Sequence, residues 1–248
     1  MLAEERHKLI LEKLNIDSVV YQSELVDYLK TSESTIRRDL NYLHEAGLLK
    51  KVHGGAVKID SDPINTKDEK VEIRQSLHMD DKLKIARAAA GLIDAEDFVY
   101  IDAGTTTELM INFINERKAV FVTNGIVHAK KLIERGFTTY IIGGELKPLT
   151  EAIIGVEAVN SLKKYNFTKG FFGTNGIDEY RGFTTPDIRE ALVKEEAIKR
   201  SKEAFVLADK SKFSKISSVC FAETSDAKVI TTDKEEYKSY EKIKIIEV

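Results

Sequence analysis

The sequence predicts an α/β protein of two domains, a small helical domain followed by a doubly wound parallel sheet. The first sixty residues carry apolar side chains at helical spacing and end in the doublet Gly54-Gly55, which suits a tight hairpin. From residue 71 onward, strand-like and helix-like segments alternate, an order typical of parallel α/β sheets. A chain of 248 residues is long enough for both domains.

The composition is that of a globular protein of the cell interior. Hydrophobic residues make up 42% and charged residues 32% of the chain, and no apolar run reaches the ~20 residues of a membrane span. The first residues are charged, so no secretory leader is expected. The single cysteine, Cys220, excludes an internal disulfide and favours a reducing cytoplasm. The histidines never fall at i, i+4 spacing, so we expect no metal site, and no cofactor is expected either.

Three helices and a hairpin are predicted for residues 1–59. The third helix carries one apolar stripe, Ile36, Leu40 and Leu43, at i, i+4 and i+7 spacing. Ser32 is a good N-cap for this helix, and Gly47 supplies the left-handed residue that ends it. The other predicted helices cover 3–14 and 22–30, and the predicted hairpin strands cover 48–52 and 56–59.

A polar segment, 60–70, separates the predicted domains and has the composition of a linker, with Pro63 and one aliphatic side chain. Residues 71–248 form the predicted second domain. Its expected helices lie near 81–93, 107–116, 126–134, 155–164 and 187–202. Its expected strands lie near 98–102, 120–123, 139–142, 170–173, 204–209, 218–222, 228–232 and 243–247. In such sheets ligands bind beyond the carboxyl ends of the strands.

The third helix carries a polar face opposite its apolar stripe, as the recognition helix of a winged helix-turn-helix does. Arginine can bind guanine or phosphate, asparagine can read adenine, and serine can bond either a base or phosphate. A net charge of −3 argues against indiscriminate coating of nucleic acid but allows a small basic face. The alternative is a plain helical bundle with a polar outer face. The predicted DNA-binding residues are Ser34, Thr35, Arg37, Arg38, Asn41, Lys50, Lys51, His53 and Gly54.

The segment Asp-Ala-Gly-Thr-Thr-Thr at 102–107 follows a predicted buried strand and opens a helix. Gly104 allows a sharp turn, after which backbone N–H groups and hydroxyls converge at a helix start, an arrangement that binds phosphate. A strand-to-helix turn with a threonine cap is an equally good interpretation of this loop alone. The segment matches neither the P-loop nor the dinucleotide fingerprint.

Polar residues also follow the other predicted strands and would line the same rim. Their hydroxyl and amide groups suit sugar oxygens, and Lys194 or Lys212 could neutralise a phosphate. Taken singly, each is more readily explained as a turn residue or a solvated lysine. The predicted ligand-binding residues are Asp102, Gly104, Thr105, Thr106, Thr107, Asn124, Gly143, Gly144, Asn175, Asp187, Lys194 and Lys212.

Taken together, these motifs resemble the DeoR family of bacterial sugar-metabolism repressors. STIRRDL at 34–40 and HGGA at 53–56 look like the DNA-binding domain of that family. The motifs that look like its effector domain are DAGTT at 102–106, VTNG at 122–125, IGGE at 142–145, GTNGID at 173–178, GFTTPD at 182–187 and LADKSK at 207–212. The resemblance covers essentially the whole chain. One departure is Ala103, which replaces a serine that the family loop often has and so removes one hydroxyl from the proposed phosphate site.

The resemblance implies a repressor that binds double-stranded operator DNA and senses a phosphorylated sugar. The sensing domain is expected to have the fold of ribose-5-phosphate isomerase. Within the family the motifs look most like those of fructose operon repressors, which favours fructose 1-phosphate as effector. A homo-oligomer, either a dimer or a tetramer, is expected because one small DNA-binding domain buries too little surface for tight binding. No membrane partner is expected.

Two other functions are considered. The first is a sugar-phosphate isomerase with a DNA-binding appendage, which would need a positioned base. The isomerases of this fold carry an aspartate where Asn175 stands, and Glu195, the nearest candidate base, fits an ordinary exposed helix face equally well. We therefore expect the protein not to be an enzyme. The second is a DNA-binding activator, which sequence does not distinguish from a repressor.

Overall fold

The structure is a computed structural model that describes residues 3–17, 19–45, 48–52, 54–57, 64–67, 71–232 and 243–248. The chain divides into two compact units, residues 1–63 and 64–248. The predicted helix end at Gly47, the hairpin residue His53 and part of the predicted linker lie outside the described residues. Among the described residues, no helix is both long and apolar enough to cross a membrane.

The described part of the first unit consists of three helices and a three-stranded antiparallel sheet of order β1-β3-β2. The helices are α1 (Ala3–Asp17), α2 (Gln22–Leu29) and α3 (Glu33–Glu45), and the strands are β1 (Val19–Tyr21), β2 (Lys50–Val52) and β3 (Gly55–Val57). The predicted stripe on α3 is confirmed, because Ile36, Leu40 and Leu43 are all buried in the core of this unit. The predicted cap is confirmed as well, since the Thr35 N–H donates to Ser32 Oγ at 3.3 Å.

The hairpin doublet uses its two glycines for different reasons. Gly54 has φ of +79°, a left-handed conformation that favours glycine. Gly55 lies against β1, where an added Cβ would stand 2.2 Å from the Val20 carbonyl oxygen. Strand β1 itself was not predicted, because three residues with one buried side chain, Val20, are too short to show a period-2 pattern.

The second unit is built on a seven-stranded parallel sheet of order β15-β14-β12-β9-β4-β5-β6. Its strands are β4 (Phe98–Ile101), β5 (Val120–Thr123), β6 (Thr138–Ile141), β9 (Phe167–Gly173), β12 (Ser201–Leu207), β14 (Lys228–Thr231) and β15 (Ile245–Glu247). Among the described residues, the α-helices of this unit are α4 (Val71–Ser76), α5 (Met79–Ala90), α6 (Thr105–Met110), α7 (Ile126–Glu134), α8 (Val156–Leu162) and α9 (Ile188–Lys199).

Alternate side chains of the sheet enter two separate cores, which confirms the doubly wound architecture. Val99 and Ile101 pack with α5, α6 and α7, whereas Tyr100 packs with α8 and α9 on the opposite face. Because both faces are covered by helices, the central strands are apolar on both sides. Because β4, β9 and β12 are neighbouring parallel strands, their carboxyl ends meet at one edge of the sheet.

Several short elements were not predicted. They are helix α4, the hairpin strands β7 (Glu145–Lys147) and β8 (Ala152–Ile154), and the strands β10 (Gly176–Asp178) and β11 (Gly182–Thr185). The expected strand near 218–222 forms as β13 (Val219–Ala222), but it pairs antiparallel with β11 in a separate small sheet. The expected helix near 107–116 is shorter, because α6 tightens into a 3-10 turn over Ile111–Phe113.

Part of the predicted linker belongs to the second unit and pairs with residues of its 216–218 segment. The Asn65 N–H donates to the Ile216 carbonyl oxygen at 2.8 Å, and the Ser218 N–H donates to the Asn65 carbonyl oxygen at 3.1 Å. The described residues 64–67 are therefore fixed at one point by backbone hydrogen bonds.

Candidate functional site

The candidate DNA-binding face is the outer side of α3, which follows α2 after a short turn. Ser34, Arg37, Arg38 and Asn41 are exposed there, and 62% of the Arg37 side chain is accessible. The fifth predicted helix residue, Thr35, is half-buried and its hydroxyl bonds Ser32 Oγ at 2.8 Å, so it takes part in the helix cap. Four predicted residues thus form one accessible polar surface.

The buried side of α3 is fixed by an ionic cluster on α1. Arg6 Nε donates to Asp39 Oδ2 at 2.7 Å, and His7 Nε2 lies 2.9 Å from Asp39 Oδ1. Burial disfavours ionisation of Asp39, but the hydrogen bonds from Arg6 and His7 outweigh it and hold the pKa of this carboxyl below its usual value. Asp39 therefore ties the recognition helix to α1 and is not available to DNA.

The hairpin lies beside this face. Lys50 and Gly54 are exposed, and Lys51 Nζ donates to Asn41 Oδ1 at 2.6 Å. Both predicted hairpin lysines thus lie in the same small unit as the predicted helix residues. His53, the remaining predicted hairpin residue, lies outside the described residues.

The second candidate site is a polar cleft at the carboxyl ends of β4, β9 and β12, where ligands bind in sheets of this kind. Six of the predicted ligand-binding residues line it: Gly104, Thr105, Thr106, Asn175, Lys194 and Lys212. Further lining residues that the sequence analysis did not select are Arg74, Leu77, His78, Lys82, Ala103, Thr150, Gly173, Thr174, Glu190, Leu207, Asp209 and Ser211.

The loop after β4 is held in place from beneath. Thr107 is buried and its hydroxyl donates to the Asp102 carbonyl oxygen at 2.6 Å. Asn124 is also buried and its Oδ1 accepts from the Ala103 N–H at 2.8 Å. The predicted ligand residues Thr107 and Asn124 therefore support the loop and lie outside the cleft lining.

His128 is a second support of this loop and was not singled out from the sequence. Its Nε2 lies 3.1 Å from the Gly104 carbonyl oxygen and 3.2 Å from Thr107 Oγ1. Burial lowers the pKa of His128 to about 4, so the ring is neutral at physiological pH. A Cβ on Gly125 would stand 2.5 Å from the His128 ring, so the glycine makes room for it. A single histidine on the buried face of an amphipathic helix gives no sequence signal for this role.

Asp102 and Lys194 form a buried ion pair behind the cleft. The Lys194 ammonium contacts the Asp102 carboxylate and also donates to the Gly173 carbonyl oxygen at 3.0 Å. Asp102 Oδ2 accepts from the Gly173 N–H at 3.0 Å. Burial raises the pKa of Asp102 more than Lys194 lowers it. The Lys194 charge is thus already compensated by a carboxylate.

Two further predictions, Asp187 and the Gly143-Gly144 pair, lie outside the cleft lining. Asp187 caps α9 by accepting from the Arg189 N–H at 2.8 Å. Although burial opposes ionisation, Lys147 and Arg189 lower the pKa of Asp187 to about 2. At Gly144 a Cβ would stand 2.8 Å from an Ile153 side-chain carbon, so this position serves close packing of the hairpin.

Cations that the sequence analysis missed line the cleft. Arg74 comes from α4 and Lys82 from the first turn of α5. The Arg74 Nε atom is buried, and no acceptor among the described residues binds it. Lys82 is buried and its ammonium donates to the Arg74 carbonyl oxygen. With Lys194 and Lys212, four cationic side chains line the cleft. They face two lining carboxylates, Glu190 and Asp209, and Asp102 balances Lys194 from behind the cleft, so a positive excess remains. This balance suits an anionic ligand.

Both cleft carboxylates are engaged. Glu190 Oε1 accepts from Thr150 Oγ1 at 2.6 Å and lies 3.1 Å from Lys147 Nζ. Asp209 Oδ1 accepts from the Ser211 N–H at 2.9 Å. Glu195, the candidate isomerase base, lies outside the lining and pairs with Lys199 on an exposed helix face. Among the described residues, no cluster of histidine, cysteine or carboxylate side chains is suited to hold a metal ion.

A winged helix-turn-helix unit followed by an α/β unit with a polar cleft defines a transcription regulator with a sensor domain. Residues 6–62 match the DeoR-like helix-turn-helix domain, and residues 77–234 match the DeoR C terminal sensor domain. The chain belongs to the DeoR family of transcriptional repressors.

Curated relatives match over nearly their whole length. The chain is 46% identical to the uncharacterized HTH-type transcriptional regulator FruR of Bacillus subtilis (strain 168), covering 100% of this chain and 99% of the relative. It is 31% identical to the lactose phosphotransferase system repressor of Staphylococcus aureus (strain N315), covering 97% and 96%.

Among solved structures, the ribose 5-phosphate isomerase A of Methanocaldococcus jannaschii aligns over 54% of each chain with a TM-score of 0.41 and 16% identity. The sorbitol operon regulator SorC of Klebsiella pneumoniae aligns over 83% of this chain and 89% of its own with a TM-score of 0.40 and 10% identity.

Proposed function

We propose that this repressor controls a sugar-utilisation operon, with fructose favoured, and that a phosphorylated sugar such as fructose 1-phosphate releases it from operator DNA. The observation that carries the proposal is the cleft at the carboxyl ends of β4, β9 and β12, with its four cationic side chains. The names of the relatives, a regulator FruR and a lactose phosphotransferase system repressor, support a sugar operon as the target.

In this proposal the phosphate is held by the loop after β4. The N–H groups of a first helical turn have no partner within the helix, so those of Thr105 and Thr106 are suited to donate hydrogen bonds to an anion. Lys212 supplies charge from the 3-10 turn Lys210–Lys212, and Arg74 and Lys82 face the same cleft. Thr174, Asn175 and Glu190 line the same cleft, and we expect them to bond sugar hydroxyls.

Release from DNA would follow from a population shift. The sugar phosphate favours an arrangement of the subunits in which the DNA-binding units no longer match the operator. It does so only to the extent that its affinity differs between the two arrangements. The same linkage requires operator DNA to weaken effector binding by an equal factor.

Calorimetry with fructose 1-phosphate tests the effector site. A charge-assisted phosphate contact contributes ~1.5–3 kcal/mol, so Lys212→Ala is expected to raise the effector Kd about 10- to 100-fold, and Thr106→Ala is expected to raise it by less. Both variants should bind operator normally but fail to release it. Lys84→Ala, on the exposed surface of α5, is the control. Wild-type protein that ignores all phosphorylated sugars, or binds unphosphorylated fructose equally well, would refute the proposal.

A homo-oligomer is part of the same proposal. Two linked DNA-binding units raise the effective affinity for a two-part operator without any new contact, which one small unit does not achieve. Light scattering at micromolar concentration is expected to return the mass of a dimer or tetramer. A monomer, with operator present as well as without it, would contradict this expectation.

A further inference from the structure

One hydrogen bond joins the hairpin of the first unit to its recognition helix. Lys51 Nζ on β2 donates to Asn41 Oδ1 on α3 at 2.6 Å. Side chains of a strand alternate between its two faces, so Lys51 points toward α3 while its neighbours Lys50 and Val52 point away. The accessibilities agree with this geometry, since Lys51 is half-buried and both neighbours are exposed.

The partner of the amide determines which way it faces. An ammonium group can only donate, so the atom that Lys51 contacts must be the carbonyl oxygen of Asn41. The Asn41 NH2 group is therefore directed away from Lys51. No acceptor among the described residues binds that NH2 group, and Asn41 is exposed on the face that carries Arg37 and Arg38.

We propose that Lys51 is a positioning residue for base recognition, which holds Asn41 so that it presents hydrogen-bond donors to the major groove. The acceptors there are guanine N7 and O6, thymine O4 and adenine N7. The bidentate contact of asparagine with adenine also needs the carbonyl oxygen, which must accept from adenine N6. Lys51 already occupies one of the two lone pairs of that oxygen, so we expect Asn41 to act chiefly as a donor to a base acceptor rather than to make the bidentate contact with adenine N6 and N7.

The competing role for Lys51 is a direct contact with a DNA phosphate. The two roles have different signatures. A phosphate contact strengthens binding to all sequences alike and contributes about one unit to the slope of log K against log salt. A positioning residue instead acts at the base pair that its partner reads, and its effect disappears when the partner is removed.

The experiment uses the full-length protein and an operator fragment that the wild type selects from a random-sequence library. Dissociation constants are measured for every single-base variant of that operator at several salt concentrations. Asn41→Ala and Lys51→Ala are each expected to lower the preference at the same base pair by about 2- to 10-fold. The double variant is expected to lose no more preference there than either single variant.

Two variants separate position from charge. Lys51→Gln keeps an N–H donor for Asn41 Oδ1 without the charge, so it is expected to retain the base preference. Lys50→Ala removes a lysine that points away from α3, so any loss of affinity should be uniform across sequences. Thermal melting confirms that each variant is folded.

Three results would overturn the proposal. The first is that Lys51→Ala lowers the affinity for every operator variant by the same factor. The second is that the losses of base preference in Asn41→Ala and Lys51→Ala add in full in the double variant. The third is that either single variant keeps the wild-type base preference.

Discussion

Lys194→Ala is expected to lower the free energy of unfolding by about 3–5 kcal/mol, because it leaves the Asp102 carboxylate buried without its cation. The Lys194 and Asp102 side chains are only 7% and 1% exposed, so solvent screens the pair little in the folded protein. Chemical denaturation with equal m-values for both proteins measures the loss. A change below 1 kcal/mol would show that the pair is not coupled to folding.

Two control variants test whether this loss of stability arises from the buried unpaired charge. Lys199→Ala removes a lysine whose pair with Glu195 lies on the surface, so the expected cost stays within about 1 kcal/mol. The double variant Asp102→Asn, Lys194→Met removes both charges and should recover much of the stability, because the penalty arises from one unpaired charge. For this reason Lys194→Ala alone is a poor test of effector binding.

The loss of unfolding free energy caused by Lys194→Ala is expected to become smaller as the pH falls. Burial already raises the pKa of Asp102 in the wild type, and loss of Lys194 raises it further. When the pKa of a carboxyl is higher in the folded state than in the unfolded state, protonation stabilises the folded state. This stabilisation is complete at a pH below the unfolded-state pKa and is lost as the pH rises through the folded-state pKa. Denaturation at several pH values between acid and neutral measures this trend. A deficit that is constant across this range would contradict it.

Arg37→Ala and Arg38→Ala are each expected to weaken operator binding by roughly 1–3 kcal/mol if the arginine reads a base. Both side chains lie on the exposed face of α3, opposite the buried stripe Ile36, Leu40 and Leu43. Arg37 makes only a long 3.4 Å contact with Glu33, so the free protein offers little competition for DNA. The double variant should lose close to the sum of the two single effects, unless both arginines contact one base step.

Fluorescence anisotropy at fixed salt measures this loss of affinity, and its salt dependence shows whether the arginine contacts a base or a phosphate. A base contact costs affinity for the operator selectively, whereas a phosphate contact lowers affinity for all sequences and reduces the salt slope. Arg87→Ala, an exposed arginine on α5, is the matched control. Effector binding should be unchanged in all three variants. Full operator affinity in the double variant would refute the assignment of α3 as the recognition helix.

Periodicity was a reliable guide where an element is long and has one environment. The stripe on α3 and the alternation of strands and helices after residue 71 predicted both folds, because burial of apolar surface dominates such elements. It failed for β1, β7, β8, β10 and β11, which have three or four residues each. At that length a strand shows no clear period-2 pattern and depends on its pairing partner. For β1 that partner is β3, which is distant in sequence, whereas β7 with β8 and β10 with β11 form short local hairpins.

The local sequence determined which segments carry polar chemistry, because turn residues and helix caps depend on neighbours in the chain. Only the tertiary structure decided which of those groups reach the cleft. It placed Asn124 and Thr107 beneath the loop, paired Lys194 with Asp102, and brought Arg74 to the cleft from the separate helix α4. The physical reason is that a polar group buried away from water needs a hydrogen-bond or ionic partner. That partner is supplied by whichever strand end or helix packs against the group.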